Sequence, residues 1–198
     1  MRHRYVRYFT LMLFAAAAVA FSGCTSTNRL NLSDSLSSDT QLRVNSAQQF
    51  DVGFQFSPHP EGDKIEASTG GATAVYSVND PLEGRLTQLM RSKFGSVDQS
   101  SENKVTVSID RLETNTDNEI LSNEGVHSIE MEVTAEIVRD GETFTRTIER
   151  NAEANISQVE SSGGLQSDVD VEEGPLDEFL QQFVVGVDSF INSNFGVE

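Results

Sequence analysis

From Ile129 to Ile156, apolar and polar residues alternate on either side of one Asp140-Gly141 pair. Ile129, Met131, Val133, Ala135 and Ile137 are spaced by Glu130, Glu132, Thr134 and Glu136; past the pair, Phe144, Ile148, Ala152 and Ala154 share one face. Successive strand residues point to opposite sides, so the stretch reads as two long half-buried strands. Asp-Gly tolerates the positive φ angles of a two-residue hairpin turn and joins them. A long sheet with one wet and one apolar face folds only if something covers the apolar one.

The rest of the sequence supplies that cover. Phe50, Val52, Phe54 and Phe56 alternate with Asp51, Gly53 and Gln55, a strand with an aromatic inner face. Ser57 to Asp63 ends it as a loop, Gly70-Gly71 reads as turn or linker glycines, and Ala72 to Val78 reads as a second strand. A helix follows, with Asp80 as cap, Pro81 at its first position and Glu83 completing a capping box. Leu82, Leu86, Leu89, Met90 and Phe94 fall on one of its faces, and Gly95 is placed to stop it. Val105, Val107 and Ile109 alternate in a strand from Lys104 to Asp110, after which residues 113–125 are polar and turn-like. Beyond the hairpin, residues 157–173 read as an acidic, Gly/Ser-rich loop. Pro175 then starts a helix with a broad apolar stripe: Leu176, Phe179, Leu180, Phe183, Val184, Val187, Phe190 and Ile191. Its polar side carries Gln181, Gln182 and Asp188 and no Lys or Arg, which suits docking on a sheet and not on a lipid surface. The order β-β-α-β-β-β-α predicts an α+β two-layer sandwich, a mainly antiparallel sheet with two helices on one face, formed as a single domain over residues 49–198.

The N-terminus has a different character. Arg2, Arg4 and Arg7 precede an uncharged, almost wholly apolar run from Phe9 to Phe21. Its 13 residues fall short of the roughly 20 that span a bilayer, and the order basic, apolar, small is that of an export signal over residues 1–23. The run closes on Phe21-Ser22-Gly23-Cys24, which resembles the lipobox of bacterial lipoproteins, Leu–small–small–Cys, with Phe21 in place of the usual aliphatic. The resemblance implies cleavage before Cys24, a diacylglycerol on its sulfur and a second acylation on the new amino group. Each buried CH₂ adds about 0.8 kcal/mol to such an anchor. Cys24 is the sole cysteine, so the chain forms no internal disulfide. Thr25, rather than Asp, follows it, which by the sorting rule of enteric lipoproteins implies the outer membrane, facing the periplasm. Residues 24–48 then read as a lipidated N-terminus and flexible tether, rich in Ser, Thr, Asn and Asp, with room for a strand from Leu42 to Val44.

Charge narrows the partners. With 31 acids against 14 bases the net charge is −17, and without the three leader arginines it falls near −20. Such a field repels nucleic acid and anionic lipid surfaces. It suits a surface adapted to high salt and an ordinary acidic envelope protein equally.

No constellation for catalysis or cofactors stands out. His59 lies between two prolines and His127 begins a strand; without partners at ligand spacing, both read as surface residues rather than metal ligands. The run from Asp168 to Gly174 invites a calcium reading, but Glu173 and Phe179 occupy the positions where an EF-hand needs Gly and Glu. There is no Gly-x-Ser-x-Gly elbow, Ser-x-x-Lys pair or phosphate loop. The sequence thus points to no cofactor and no metal.

Residues 73–195, with a strand, a helix carrying Pro81, Leu82, Leu86 and Leu89, a three-strand meander and a final helix, are similar in pattern to small lipoproteins that assist envelope machines. These are the YajG-like lipoproteins, the auxiliary lipoproteins of ABC-type lipid transporters, and the lipoprotein partner of the lipopolysaccharide-assembly barrel. The resemblance implies a non-enzymatic accessory role and another envelope protein as partner. The alternative is an envelope hydrolase acting on glycan or peptide through carboxylates that no motif marks.

Overall fold

In the computed structural model, residues 27–35, 51–95, 97–118, 123–160 and 167–196 are described. The leader, Cys24 and the strand expected from Leu42 to Val44 lie outside them. The described elements are β1 (Thr27–Arg29), β2 (Val52–Ser57), β3 (Ile65–Thr69), β4 (Ala72–Tyr76), α1 (Asn79–Phe94), β5 (Asn103–Asn118), β6 (Glu124–Arg139), β7 (Glu142–Glu160), β8 (Ser167–Val171) and α2 (Glu173–Phe195).

The hairpin expected from the alternation is β6 and β7, paired in register from Arg139↔Glu142 to Glu124↔Ser157. Asp140 and Gly141 turn it with φ of 53° and 82°. The pair sits inside a five-stranded sheet of order β2-β5-β6-β7-β8, antiparallel except for β2 beside β5. Along β6 the odd residues from His127 to Ile137 are buried and the even ones are not. One end of this inner face meets β4, since His127 bonds to Tyr76. Farther along, Ile148, opposite Val133, packs against Gly186 of α2 so closely that a Cβ there would lie 2.8 Å from Ile148 Cδ1. A second sheet, of order β1-β4-β3, and the two helices therefore share one face of the long sheet. The fold is the expected α+β two-layer sandwich, with the small sheet as an addition to the covering layer.

The structure departs from several of these expectations. β5 runs eight residues past Asp110, because a bulge between Ile109 and Arg111 inserts one residue. The bulge switches parity: Val105, Val107 and Ile109 are buried, and then Leu112. The alternation breaks there and the sequence looks turn-like. The acidic loop expected over 157–173 contains the end of β7 and all of β8, where buried Val169 and Val171 alternate with Asp168 and Asp170. β3 was hidden by a weak pattern in which Ile65, Ala67 and Thr69 turn inward. Within the segment read as a tether, residues 27–34 are not free chain. β1 pairs in parallel with β4, Leu32 is buried, and the Ser33 carbonyl accepts from Arg85 Nε at 2.9 Å.

Asp80 does not cap α1. The helix starts at Asn79 with no side-chain cap. Asn79 turns back to serve the preceding loop, its Nδ2 donating to the His59 carbonyl at 2.9 Å and to Asp63 at 2.8 Å. Gly95 does end the helix, with φ of 73° and its N–H on the Arg91 carbonyl. In α2 all eight residues of the expected stripe are buried. Two buried cations tie the helices: Arg85 of α1 donates to Asp177 of α2 at 2.6 Å, and Lys93 of α1 lies 2.7 Å from Asp188 and 2.6 Å from Asn192 Oδ1, both on α2. Beyond the reach of β8, which pairs only with residues 156–160, the outer edge of β7 has no neighbouring strand among the described residues.

Candidate functional site

β2 is an edge strand whose inner face opens progressively. Val52 is fully buried, whereas Phe54 and Phe56 are half-buried. Beside them lies a groove of about 760 Å³, bounded by residues 53–56, by Glu83, Thr87 and Arg91 of α1, and by Gly95, Val97, Gln99 and Lys104. Glu83, Thr87 and Arg91 recur every four residues, so they form one stripe along α1. Lys104 stands opposite Gly53, and its side chain is exposed on the outer side of the sheet. The groove thus combines two aromatic rings, one carboxylate and two cations. Arg91 and Lys104 make no ion pair among the described residues, although Lys64, Arg85, Lys93, Arg111 and Arg139 each pair with an acid.

A second cleft, about 740 Å³, lies where β5, β6, β7 and β8 meet. Asp117, Glu124, Asp170 and Glu172 line it with Asn155 and Ser157, and Asn155 Nδ2 donates to Glu172 at 2.9 Å. All four acids are exposed. No group of three or more His, Cys, Asp or Glu able to hold a metal occurs among the described residues.

The histidines part company. His59 is half-exposed, and its Nδ1 accepts from the Glu61 N–H at 3.3 Å. His127 is no surface residue: it is fully buried, Nε2 2.7 Å from the Tyr76 hydroxyl and Nδ1 2.9 Å from Thr116 Oγ1. It begins the inner face of β6, which is why its side chain points under the small sheet. Burial holds its pKa below the ordinary histidine value and pushes the Tyr76 hydroxyl up. A histidine whose folded pKa is depressed contributes its stability in full above the unfolded value of about 6.5. That contribution is lost as pH falls through the depressed folded pKa. His127→Gln keeps a hydrogen-bonding side chain without the charge, so its denaturation midpoint should fall less between pH 7 and pH 5 than that of the native chain. Equal slopes would remove His127 from the account.

Among the described residues, no helix is long and apolar enough to cross a membrane. No protein-family model matches the chain, and no curated protein matches it. Solved structures align with it, among them the following three. One is an uncharacterized protein, at 11% identity over 84% of this chain and 99% of that one, with a TM-score of 0.40. Another is a minor lipoprotein from Acinetobacter baumannii, at 12% identity over 72% of this chain and 93% of that one, with a TM-score of 0.40. The third is the hypothetical protein CT253 from Chlamydia trachomatis, at 11% identity over 73% of this chain and 99% of that one, with a TM-score of 0.38.

Proposed function

We propose that the chain is an exported lipoprotein, cut before Cys24 and held by lipid on that cysteine at the outer membrane, where it faces the periplasm. Its role is that of a non-enzymatic accessory that binds another envelope protein. The leader and the lone cysteine support the anchor. The binding role rests on one observation: a sheet edge with two half-buried phenylalanines opens into a groove in which Glu83 is the one carboxylate among the described residues.

A specific observation keeps a second reading in view. Asp117, Glu124, Asp170 and Glu172 converge on one cleft, where a hydrolase acting on glycan or peptide would place its acid and base. The two readings separate in one preparation. Cells fed a labelled fatty acid should label the native chain and not Cys24→Ser; equal label in both ends the lipoprotein reading. Crosslinking in intact envelopes, followed by purification of the chain, should recover a defined envelope protein. Recovery of none, together with turnover of a peptidoglycan substrate that Asp170→Asn or Glu172→Gln abolishes, reverses the ranking.

A further inference from the structure

We propose that the outer edge of β2, from Phe54 to Ser57, receives an extended acidic segment of the partner as an added strand. This rests on the binding role proposed above and names the chemistry of what is bound.

The backbone argues for a strand. Within a strand, the N–H and C=O of one residue point to the same side, and successive residues alternate. β5 occupies one side of β2. On the other side Val97 bridges to Val52, and the Asp98 N–H donates to the Val52 carbonyl at 3.1 Å. Val52 therefore turns its backbone outward, and by alternation so do Phe54 and Phe56. Past the short cover given by Val97 and Asp98, the peptide groups of Phe54 and Phe56 face the groove. An extended peptide satisfies them by continuing the ladder, as in other sheet-edge recognition. A globular ligand would leave them to water.

Charge argues for acidity. Arg91 lies on the inner side of this edge and Lys104 on the outer side. Side chains of an added strand alternate between the same two sides, so a carboxylate on either side meets a cation. Glu83, two turns before Arg91 on α1, disfavours acids at the other end of the groove. In a chain with 31 acids and 14 bases, two cations in one groove, neither ion-paired among the described residues, mark the place where an acidic segment is attracted and not repelled. Phe54 and Phe56 offer apolar contact to the inward side chains between.

The test uses the full mature chain and a capped pentapeptide, Val-Glu-Val-Glu-Val. Its controls are the Lys counterpart and a version N-methylated at every peptide nitrogen, which has no N–H to give on either edge. The expected result is that the Glu peptide slows hydrogen exchange at the Phe54 and Phe56 amides, with weaker binding as salt rises. The two controls should fail to bind. Charge reversal by Arg91→Glu with Lys104→Glu, both exposed, should weaken binding about tenfold or more with an unchanged melting temperature. Equal binding by the methylated peptide, equal binding by the charge-reversed chain, or exchange protection elsewhere would each overturn the proposal. If envelope crosslinking recovers a partner while these amides stay unprotected, the binding role stands and this edge is not its seat. If neither occurs, both fall.

Discussion

Phe183→Ala lowers the unfolding free energy by about 3–5 kcal/mol. Phe183 is completely buried and meets Phe179 edge to face, with ring centroids 5.2 Å apart and planes at 87°. The cost depends on whether the cavity can collapse. Here the surroundings are fixed: α2 already lies against Ile148 through Gly186, where the glycine leaves no further approach to gain. Urea denaturation followed by circular dichroism measures the effect, with an unchanged slope showing that the comparison is of stability alone. Val185, two residues on and 51% exposed, is the control. Its truncation should stay within about 0.5 kcal/mol. A loss below about 1 kcal/mol at Phe183 would mean that the α2 stripe is not the core of the sandwich.

Asp188→Ala costs about 3–5 kcal/mol for a different reason. Lys93 Nζ sits in the seam between α1 and α2 with none of its side chain exposed, 2.7 Å from Asp188 and 2.6 Å from Asn192 Oδ1. Removing the carboxylate leaves a buried ammonium with an amide oxygen as its remaining described partner. The penalty comes from that stranded charge and not from the intrinsic strength of the pair. The double substitution Lys93→Met with Asp188→Leu should therefore recover most of the loss, since apolar replacements for a buried ion pair are commonly neutral or better. If the double variant is as unstable as the single one, the seam depends on the ion pair itself.

Elements whose sequence pattern and packing agreed were legible from the sequence. The alternation of Ile129 to Ile137 marks β6 because one face is buried along its whole length. The α2 stripe was readable because a helix on a sheet needs a broad apolar face. Other elements were obscured locally. The bulge after Ile109 reversed the inward parity, and short strands such as β3 show only two or three inward residues. In β8 the Asp168-Val169-Asp170-Val171 alternation carried the strand signal, but its charge suggested solvent. Of the groove, the aromatic strand was visible and its neighbours were not, because Arg91 and Lys104 reach the edge of β2 only through the packing of α1 and the pairing of β5. The burial of His127 was equally hidden. It depends on the small sheet folding over the end of β6, which the local sequence does not encode.

The early start of β1 sets a geometry for the whole molecule. Pairing begins at Thr27, so a lipid on Cys24 leaves only Thr25 and Ser26 as leash, about 10 Å of chain at full stretch. Thr27 pairs with Thr73, which neighbours the turn that follows Ser68; Asn118 Nδ2 reaches the Ser68 carbonyl, and Asn118 pairs with Gly125. With the lipid proposed on Cys24, that end of the long sheet would be the one nearest the bilayer. Phe54 stands opposite Val105, which stands opposite Ile137, some 12 strand residues farther along β6. At about 3.3 Å per residue that is roughly 40 Å. On so short a leash an anchored domain would not tumble freely. With the anchor proposed above, the groove along β2 would lie toward the end of the long sheet remote from the lipid.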